Sequence, residues 1–265
     1  MDGFNYASLL YPLSGFCVGI IIGMTSIGGG SLMTPLLILL FGIHPTTAVG
    51  TDLLFAAATK TVGSGIHALA RTIDWTLVAL LATGSVPAAV ATLVTLSRFD
   101  LKAASAQHAI TVVLGGTSLI TALFLLLRPI LRERYAGRLT HLDPRSTKAW
   151  TILVGTVMGV LVTVTSVGAG TIGVTALLLL HPRMPAGRVV GSDIAHAVPL
   201  TLLAGAGHWY LGTIDGWLLG ALLSGSLPGI VIGSYLAAHA REAVVRIMLA
   251  AALIIAGERL LGIFN

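Results

Sequence analysis

Residues 15–42, GFCVGIIIGMTSIGGGSLMTPLLILLFG, place a polar, glycine-rich centre between two apolar arms. Residues 155–180, GTVMGVLVTVTSVGAGTIGVTALLLL, repeat this design at a constant offset of 140. Glycine and hydroxyl residues break a helix and free its backbone polar groups. In hydrocarbon such a break is stable only where it is buried in protein or lines a wet cavity. Two matching broken segments in a membrane chain therefore indicate the binding site of a transporter.

The composition predicts an all-α polytopic membrane protein. Of the 265 residues, 55% are hydrophobic and 9% are charged, whereas a soluble domain has roughly 25% charged residues. The net charge of +5 does not indicate a nucleic-acid partner, because 6 of the 15 basic residues lie at 128–148 in a pattern typical of a cytoplasmic loop. Apolar segments of about the length that a bilayer crossing requires recur along the chain. They lie at residues 15–42, 46–70, 75–97, 104–127, 150–181, 186–211, 216–238 and 243–262.

The chain divides into two repeats around this basic stretch. Residues 1–127 form the first repeat, 128–149 the predicted cytoplasmic loop and 150–265 the second repeat. After one extra residue in the second half the offset becomes 141, so that residues 49–52 (VGTD) match 190–193 (VGSD). Matches at a fixed offset, in order along the chain, indicate a duplication.

The basic residues also bear on the orientation of the repeats. If every segment spans the bilayer and the 128–149 loop is placed inside, 8 basic residues lie inside and 6 lie outside. If residues 150–181 fold back as a re-entrant hairpin, the count becomes 11 against 3, which the positive-inside rule favours. The first hairpin, 15–42, is inferred from the repeat alone. Two hairpins would leave three transmembrane helices in each half and make the halves inverted repeats, although spanning segments remain the alternative.

The hairpin tips are the predicted substrate-binding site. A helix that restarts after a glycine presents unpaired N–H groups and a partial positive charge, which suit an anion. Close helix packing by small residues is the alternative interpretation. The predicted tip residues are Thr25, Ser26, Gly28, Gly29, Gly30, Ser31, Thr165, Ser166, Gly168, Gly170 and Thr171.

Lys60 is a further candidate substrate ligand. It lies about 14 residues into its segment, roughly 20 Å deep by the helical rise. An ionisable residue inside a membrane segment is a functional candidate, and a buried cation suits an anionic substrate. The alternative is a salt bridge to Asp52, which lies on the same predicted helix. The equivalent of Lys60 in the second repeat is Thr201, so the predicted site is asymmetric.

Five other titratable residues are candidates for coupling or gating. Asp52 and Asp193 occupy equivalent positions and are predicted either to carry protons or to cap their helices. His67, His196 and His208 are predicted either to relay protons or, for His67 and His208, to pack at the interface. We find no metal-ligand spacing and no nucleophile motif, so neither a metal, nor a cofactor, nor an enzymatic activity is predicted.

Short motifs recur in both halves of the chain. In the first half they occupy residues 23–30, Pro35, 48–52, 73–75 and 84–87. The second half carries the pattern in a weaker form, with Ala169 in place of the middle glycine and Thr175 in place of Pro35. By these motifs the whole chain resembles the TauE/SafE family of sulfite and organosulfonate exporters.

This resemblance implies a bacterial inner-membrane permease that exports a small sulfur oxyanion or sulfonate, coupled to the proton gradient. We therefore predict alternating access around an anion held between the hairpin tips. The alternatives are an uncoupled anion channel or facilitator and a permease for another small carboxylate or sulfur anion. Besides the anion, the predicted partner is the lipid bilayer, and an Ala- and Gly-rich helix surface is compatible with a homodimer. The sequence leaves open the anion, the direction and the coupling ion.

Overall fold

The computed structural model describes residues 6–24, 32–135, 143–168, 170–237 and 242–263. This part of the chain contains helices and no strands, which confirms the prediction of an all-α protein. By length and composition, five of its helices (α4, α5, α6, α8 and α9) are apolar enough to cross a bilayer, while α1 and α7 contain shorter apolar stretches. The helices are α1 (Tyr6–Met24), α2 (Met33–Phe41), α3 (Pro45–Leu69), α4 (Trp75–Leu96), α5 (Ala104–Tyr135), α6 (Pro144–Thr165), α7 (Thr171–Leu180), α8 (Ala186–Tyr210), α9 (Gly216–Ala237) and α10 (Glu242–Leu261).

The basic stretch between the repeats is helical at both of its ends. Helix α5 continues through Arg128 to Tyr135, beyond the apolar run that ends at residue 127. Helix α6 begins at Pro144, where proline is favourable at the first helical position, and the Asp143 carboxylate accepts a hydrogen bond from the N–H of Arg145. The apolar runs therefore underestimated the lengths of these helices, because polar residues continue a helix beyond its apolar part.

Each broken segment folds back on itself. Helix α6 ends at Thr165 and α7 begins at Thr171, and the intervening Ser166 has a left-handed backbone with φ of 58°. His181, which follows the end of α7, lies 3.0 Å from the Thr151 hydroxyl in the second turn of α6. The equivalent residues of the first hairpin also meet, because the rings of Tyr11 in α1 and Phe41 in α2 lie 4.7 Å apart. In both hairpins the second arm thus ends beside the beginning of the first.

Helices α3 and α8 are equivalent in the two repeats and pack antiparallel. The backbone N–H of Asp74, just before α4, donates to the Ser192 hydroxyl near the start of α8 at 2.8 Å. The backbone N–H of Asp215, just before α9, donates to the Thr51 hydroxyl near the start of α3 at 3.2 Å. Each central helix therefore begins beside the loop that follows the other.

Three further pairs of helices pack across the two repeats, namely α1 against α9, α6 against α4 and α5 against α10. Glycines bring these backbones together. A Cβ at Gly155 of α6 would lie 2.3 Å from the Leu81 carbonyl oxygen of α4, and one at Gly15 of α1 would lie 2.2 Å from the Leu222 carbonyl oxygen of α9. These two contacts are equivalent in the repeat. Small residues allow such close approach between helices in membranes.

Gly155→Ala is expected to destabilise the protein by about 1–3 kcal/mol, because the added methyl group meets backbone atoms that have no alternative position. Thermal unfolding in detergent measures this effect. The matched control is Gly116→Ala, since a Cβ at that helical glycine meets no atom within 4 Å. Equal melting temperatures for the two variants would show that the α4–α6 contact relaxes without cost.

Candidate functional site

Buried charged residues meet where α3 and α8 cross. Leu54 packs against Gly205 on one side of Lys60, and Gly63 packs against Ile194 on the other, so Lys60 lies near the middle of the crossing. The lysine is 8% exposed. It interacts electrostatically with Asp193 of α8 and, less strongly, with Asp52 of its own helix. Of these two aspartates, Asp193 is thus the stronger electrostatic partner of Lys60, ahead of the Asp52 that the sequence offered as the alternative.

Asp52 of α3 lies close to residues of both hairpins. Its Oδ2 atom accepts a hydrogen bond of 2.5 Å from the Thr34 hydroxyl in α2. The Ser166 hydroxyl, at the tip of the second hairpin, also lies close to this carboxylate, without a hydrogen bond of normal geometry. Asp52 is fully buried in the second turn of α3. It does not cap α3, since the N-cap residue is His44.

Asp193 has a different environment from its equivalent Asp52. Neither of its carboxylate oxygens has a hydrogen-bond partner among the described residues. It faces Gly173 of α7, where a Cβ would lie 2.6 Å from Oδ1. The residue equivalent to Thr34 is Val174, which has no hydroxyl to donate. Asp193 does not cap α8 either, because the N-cap residue is Pro185. Its carboxylate is therefore available to a proton, an ion or a ligand.

The tip of the second hairpin lies at this cluster. Thr165 ends α6, where its hydroxyl accepts a hydrogen bond from the N–H of Val167. Gly168 and Gly170 have φ of 105° and 125°, which side chains rarely adopt, and α7 then begins at Thr171. The buried hydroxyls of Ser166 and Thr175 have no hydrogen-bond partner in the described part of the chain. The tip residues predicted in the first hairpin, namely Thr25, Ser26, Gly28, Gly29, Gly30 and Ser31, lie outside the described residues.

His196 extends the polar cluster towards α4. Its Nε2 atom lies 2.7 Å from the Ser85 hydroxyl, and its Nδ1 atom has no partner among the described residues. It interacts electrostatically with Lys60. The equivalent of His196 in the first repeat is Phe55, and the equivalent of Ser85 is Ser226. Only one face of the crossing therefore carries this histidine.

His67 and His208 close the ends of the two central helices. The Nδ1 atom of His67 lies 2.8 Å from the Thr72 hydroxyl, and that of His208 lies 2.9 Å from the Thr213 hydroxyl. Each threonine hydroxyl also donates to the backbone carbonyl of its histidine. These contacts favour the packing interpretation over a role in proton relay.

Thr34, Ser85 and Thr175 were not among the residues predicted for the site. All three are buried hydroxyl residues inside apolar helices, and this is the signal that would have identified them. No group of three or more His, Cys, Asp and Glu side chains that would hold a metal ion occurs in the described ranges.

Paired broken hairpins around a buried cluster of charges are typical of a polytopic membrane transporter. The sequence model described as "Sulfite exporter TauE/SafE" matches residues 11–260. The chain belongs to the TauE/SafE family, and the resemblance noted in the sequence is confirmed.

Similar proteins in Bacillus subtilis (strain 168) are described as probable membrane transporters. The chain is 36% identical over 250 residues to the probable membrane transporter protein YjnA. The aligned residues cover 94% of this chain and 98% of YjnA. The chain is 29% identical over 230 residues to the probable membrane transporter protein YdhB, covering 85% of this chain and 89% of YdhB. No solved structure gives a significant match. The family and these relatives are named as transporters, which confirms the prediction that the protein is not an enzyme.

Ser85→Ala is expected to destabilise the protein by about 1–3 kcal/mol, because it leaves Nε2 of His196 buried without its partner. Ser226→Ala is the matched control at the equivalent position, since the buried Ser226 hydroxyl has no hydrogen-bond partner among the described residues. Thermal unfolding of the two variants in detergent measures the difference. A control variant that loses as much stability as Ser85→Ala would contradict the assigned role of the Ser85–His196 contact.

Proposed function

We propose that the protein exports a small anion, sulfite or an organosulfonate, across the bacterial inner membrane by alternating access. The family description supports the substrate class. The observation that carries the proposal is the burial of Lys60 at the middle of the α3–α8 crossing, beside Asp193. A buried cation between two repeats is a suitable ligand for an anion near the bilayer midplane.

The tips of the hairpins complete the proposed binding site. The N-terminal end of α7 supplies backbone N–H groups and a partial positive charge, and Ser166, Thr171 and Thr175 supply hydroxyl groups. The repeat extends the site to the first hairpin, through Thr25, Ser26, Gly28, Gly29, Gly30 and Ser31. Thr165, Gly168 and Gly170 shape the second tip. Partners for an anion thus come from both halves of the chain.

The charges in this cluster support coupling to protons. When Asp52 and Asp193 are ionised, Lys60 offsets only one of the two negative charges. Adding an anion alone would leave further buried negative charge without compensation, which is costly in a membrane interior. A proton that binds together with the anion offsets this cost. Asp193, whose oxygens have no hydrogen-bond partner among the described residues, is the proposed proton carrier. Thr34 holds Asp52, and His196 lies within the electrostatic influence of Lys60.

A sulfite dianion that moves with one proton still carries net negative charge outwards. The membrane potential, negative inside, favours this movement. Export is therefore compatible with joint transport of the anion and a proton.

The arrangement of the repeats in the membrane is also a proposal. If every segment spanned the bilayer, the equivalent helices α3 and α8 would run in the same direction. Their antiparallel packing supports re-entrant hairpins and inverted repeats, with residues 1–127 and 150–265 on either side of a cytoplasmic 128–149 connection. The higher positive-inside count for this arrangement supports the same orientation.

Single cysteines on a Cys17→Ser background test this topology. A cysteine at Arg183 is expected to react with an impermeant thiol reagent only from the cytoplasmic side, and a cysteine at Arg98 only from the periplasmic side. Both positions are exposed, so that accessibility reports the side of the membrane. Labelling of the two cysteines from the same side would contradict the inverted topology.

Uptake of labelled sulfite into inside-out vesicles tests the mechanism. Uptake by the unmodified protein is expected to be faster when the exterior is more acidic than the lumen. Lys60→Met is expected to lower uptake at low sulfite concentration by about tenfold or more, because it removes a charged ligand. Asp193→Asn is expected to retain saturable uptake and to lose the dependence on the pH gradient.

Thr201→Val is the matched control at the position equivalent to Lys60. The Thr201 hydroxyl donates to the Ala197 carbonyl of its own helix, so that this variant is expected to behave like the unmodified protein. Uptake that an alkaline exterior accelerates would indicate exchange of the anion for a proton and would overturn joint binding. Unchanged uptake by Lys60→Met would remove Lys60 from the site.

A further inference from the structure

A cavity with polar side chains in its lining lies away from the buried crossing, at the open end of the second hairpin. Its volume is about 630 Å³. It is formed by the beginnings of α4, α6 and α8 and by the residues that follow α7, from Leu180 to Pro185. None of the residues predicted for substrate binding or coupling lines this cavity.

Basic side chains dominate the charge of this cavity. Lys148, Arg183 and Arg188 line it, and Asp74 is the one acidic residue in the lining. Arg188 lies 3.6 Å from the Asp74 carboxylate. Within the described part of the chain, Lys148 and Arg183 are exposed and form no ion pair. Two cationic groups are therefore available to a ligand.

The other polar groups of the cavity leave this positive charge in place. Helix α8 begins at the cavity, and its N-cap residue Pro185 offers no side chain to its unpaired N–H groups. Burial lowers the pKa of His181, and the charge of Asp74 raises it less. This shift favours the neutral imidazole, whose Nε2 atom lies 3.0 Å from the Thr151 hydroxyl. The positive charge comes from Lys148 and Arg183 and from the helix end.

The equivalent place in the first repeat has different chemistry. There the positions of Thr151, His181 and Thr76 are taken by aromatic residues, whose rings pack together with centroids 4.7 and 5.7 Å apart. These residues are Tyr11, Phe41 and Trp217. The residue equivalent to Lys148 is Ser8, which carries no charge. The duplicated fold therefore does not itself require a basic cavity at this end.

We propose that the cavity lined by Lys148, Arg183 and Arg188 is a surface capture site for the transported anion, a small sulfur oxyanion or sulfonate. The identity of the ligand rests on the proposed function. Such a site raises the local concentration of anions next to the hairpin, and it would feed the buried site from the cytoplasmic side. An anionic lipid headgroup shares this chemistry and is the competing occupant.

The first experiment compares transport by two double variants in inside-out vesicles, which expose the cavity to the medium. Lys148→Gln with Arg183→Gln is expected to raise the KM for sulfite by about threefold to tenfold at low ionic strength, with the maximal rate unchanged. The difference should shrink as salt is added, because salt screens exposed charges. Arg98→Gln with Lys102→Gln removes the same charge at the other end of α4 and should leave KM unchanged. Equal KM values for the two double variants would overturn the proposal.

The second experiment detects the cavity without transport. Thr76→Cys, on a Cys17→Ser background, places a thiol in the cavity lining at an exposed position. An anionic methanethiosulfonate should modify it faster than a cationic one, relative to their rates with a free thiol, and methanesulfonate should slow the reaction. Both effects should disappear when Lys148 and Arg183 are replaced by Gln. If both effects persist in that variant, the proposal is overturned.

The two experiments separate the possible failures. Charge-selective, protectable labelling without any sulfite uptake would support the capture site and contradict sulfite export. Uptake with labelling that shows no charge selectivity would contradict the capture site alone. Labelling in vesicles of phosphatidylcholine, with and without phosphatidylglycerol, distinguishes the occupants. Protection by phosphatidylglycerol with none by methanesulfonate would assign the cavity to a lipid and overturn the proposal.

Discussion

Reciprocal hydrogen bonds between the two repeats are the constraint on which the rest of the structure depends. The hydroxyls of Thr51 and Ser192 each accept the backbone N–H of the loop that follows the other central helix. A partly buried backbone N–H without a partner is costly, so these bonds favour this register of α3 against α8. This register brings Lys60 beside Asp193. It also places the second hairpin tip at Asp52, a residue of the first repeat.

The symmetry of the backbone contrasts with the asymmetry of the buried side chains. Equivalent glycines make equivalent contacts in the α1–α9 and α4–α6 pairs, because close packing depends on shape alone. The polar cluster breaks this symmetry at Lys60, His196 and Thr34, whose equivalents are Thr201, Phe55 and Val174. The two repeats thus share their backbone packing, and they differ in the polar side chains at a few buried positions.

The sequence predicted much of this architecture, and physical reasons explain what it missed. Glycines and hydroxyls at a fixed offset identified the second helix break, because they act locally on the backbone. The electrostatic interaction of Lys60 with Asp193 was not predictable, since Asp193 lies on another helix and Asp52 was the acid nearest in sequence. Thr34 was also missed, because a single hydroxyl in an apolar helix gains its role only from the residue that tertiary packing brings to it. Helix α5 extends beyond the predicted apolar segment, because hydropathy reports the part of a helix that lies in the membrane and not the residue at which the helix ends.

The different hydrogen bonding of Asp52 and Asp193 has a consequence for the balance between conformations. In a cycle with an inward-facing and an outward-facing state, two identical halves would make these states equal in free energy. The bond from Thr34 to Asp52 has no counterpart at Val174. Two conformations that are related by exchanging the environments of the hairpins therefore differ in free energy. In the proposed alternating-access cycle the resting populations of the two states would then differ, and the apparent affinity for a ligand would depend on the side from which it arrives. Such sidedness does not change the equilibrium across the membrane, but it sets the concentration range over which each face responds.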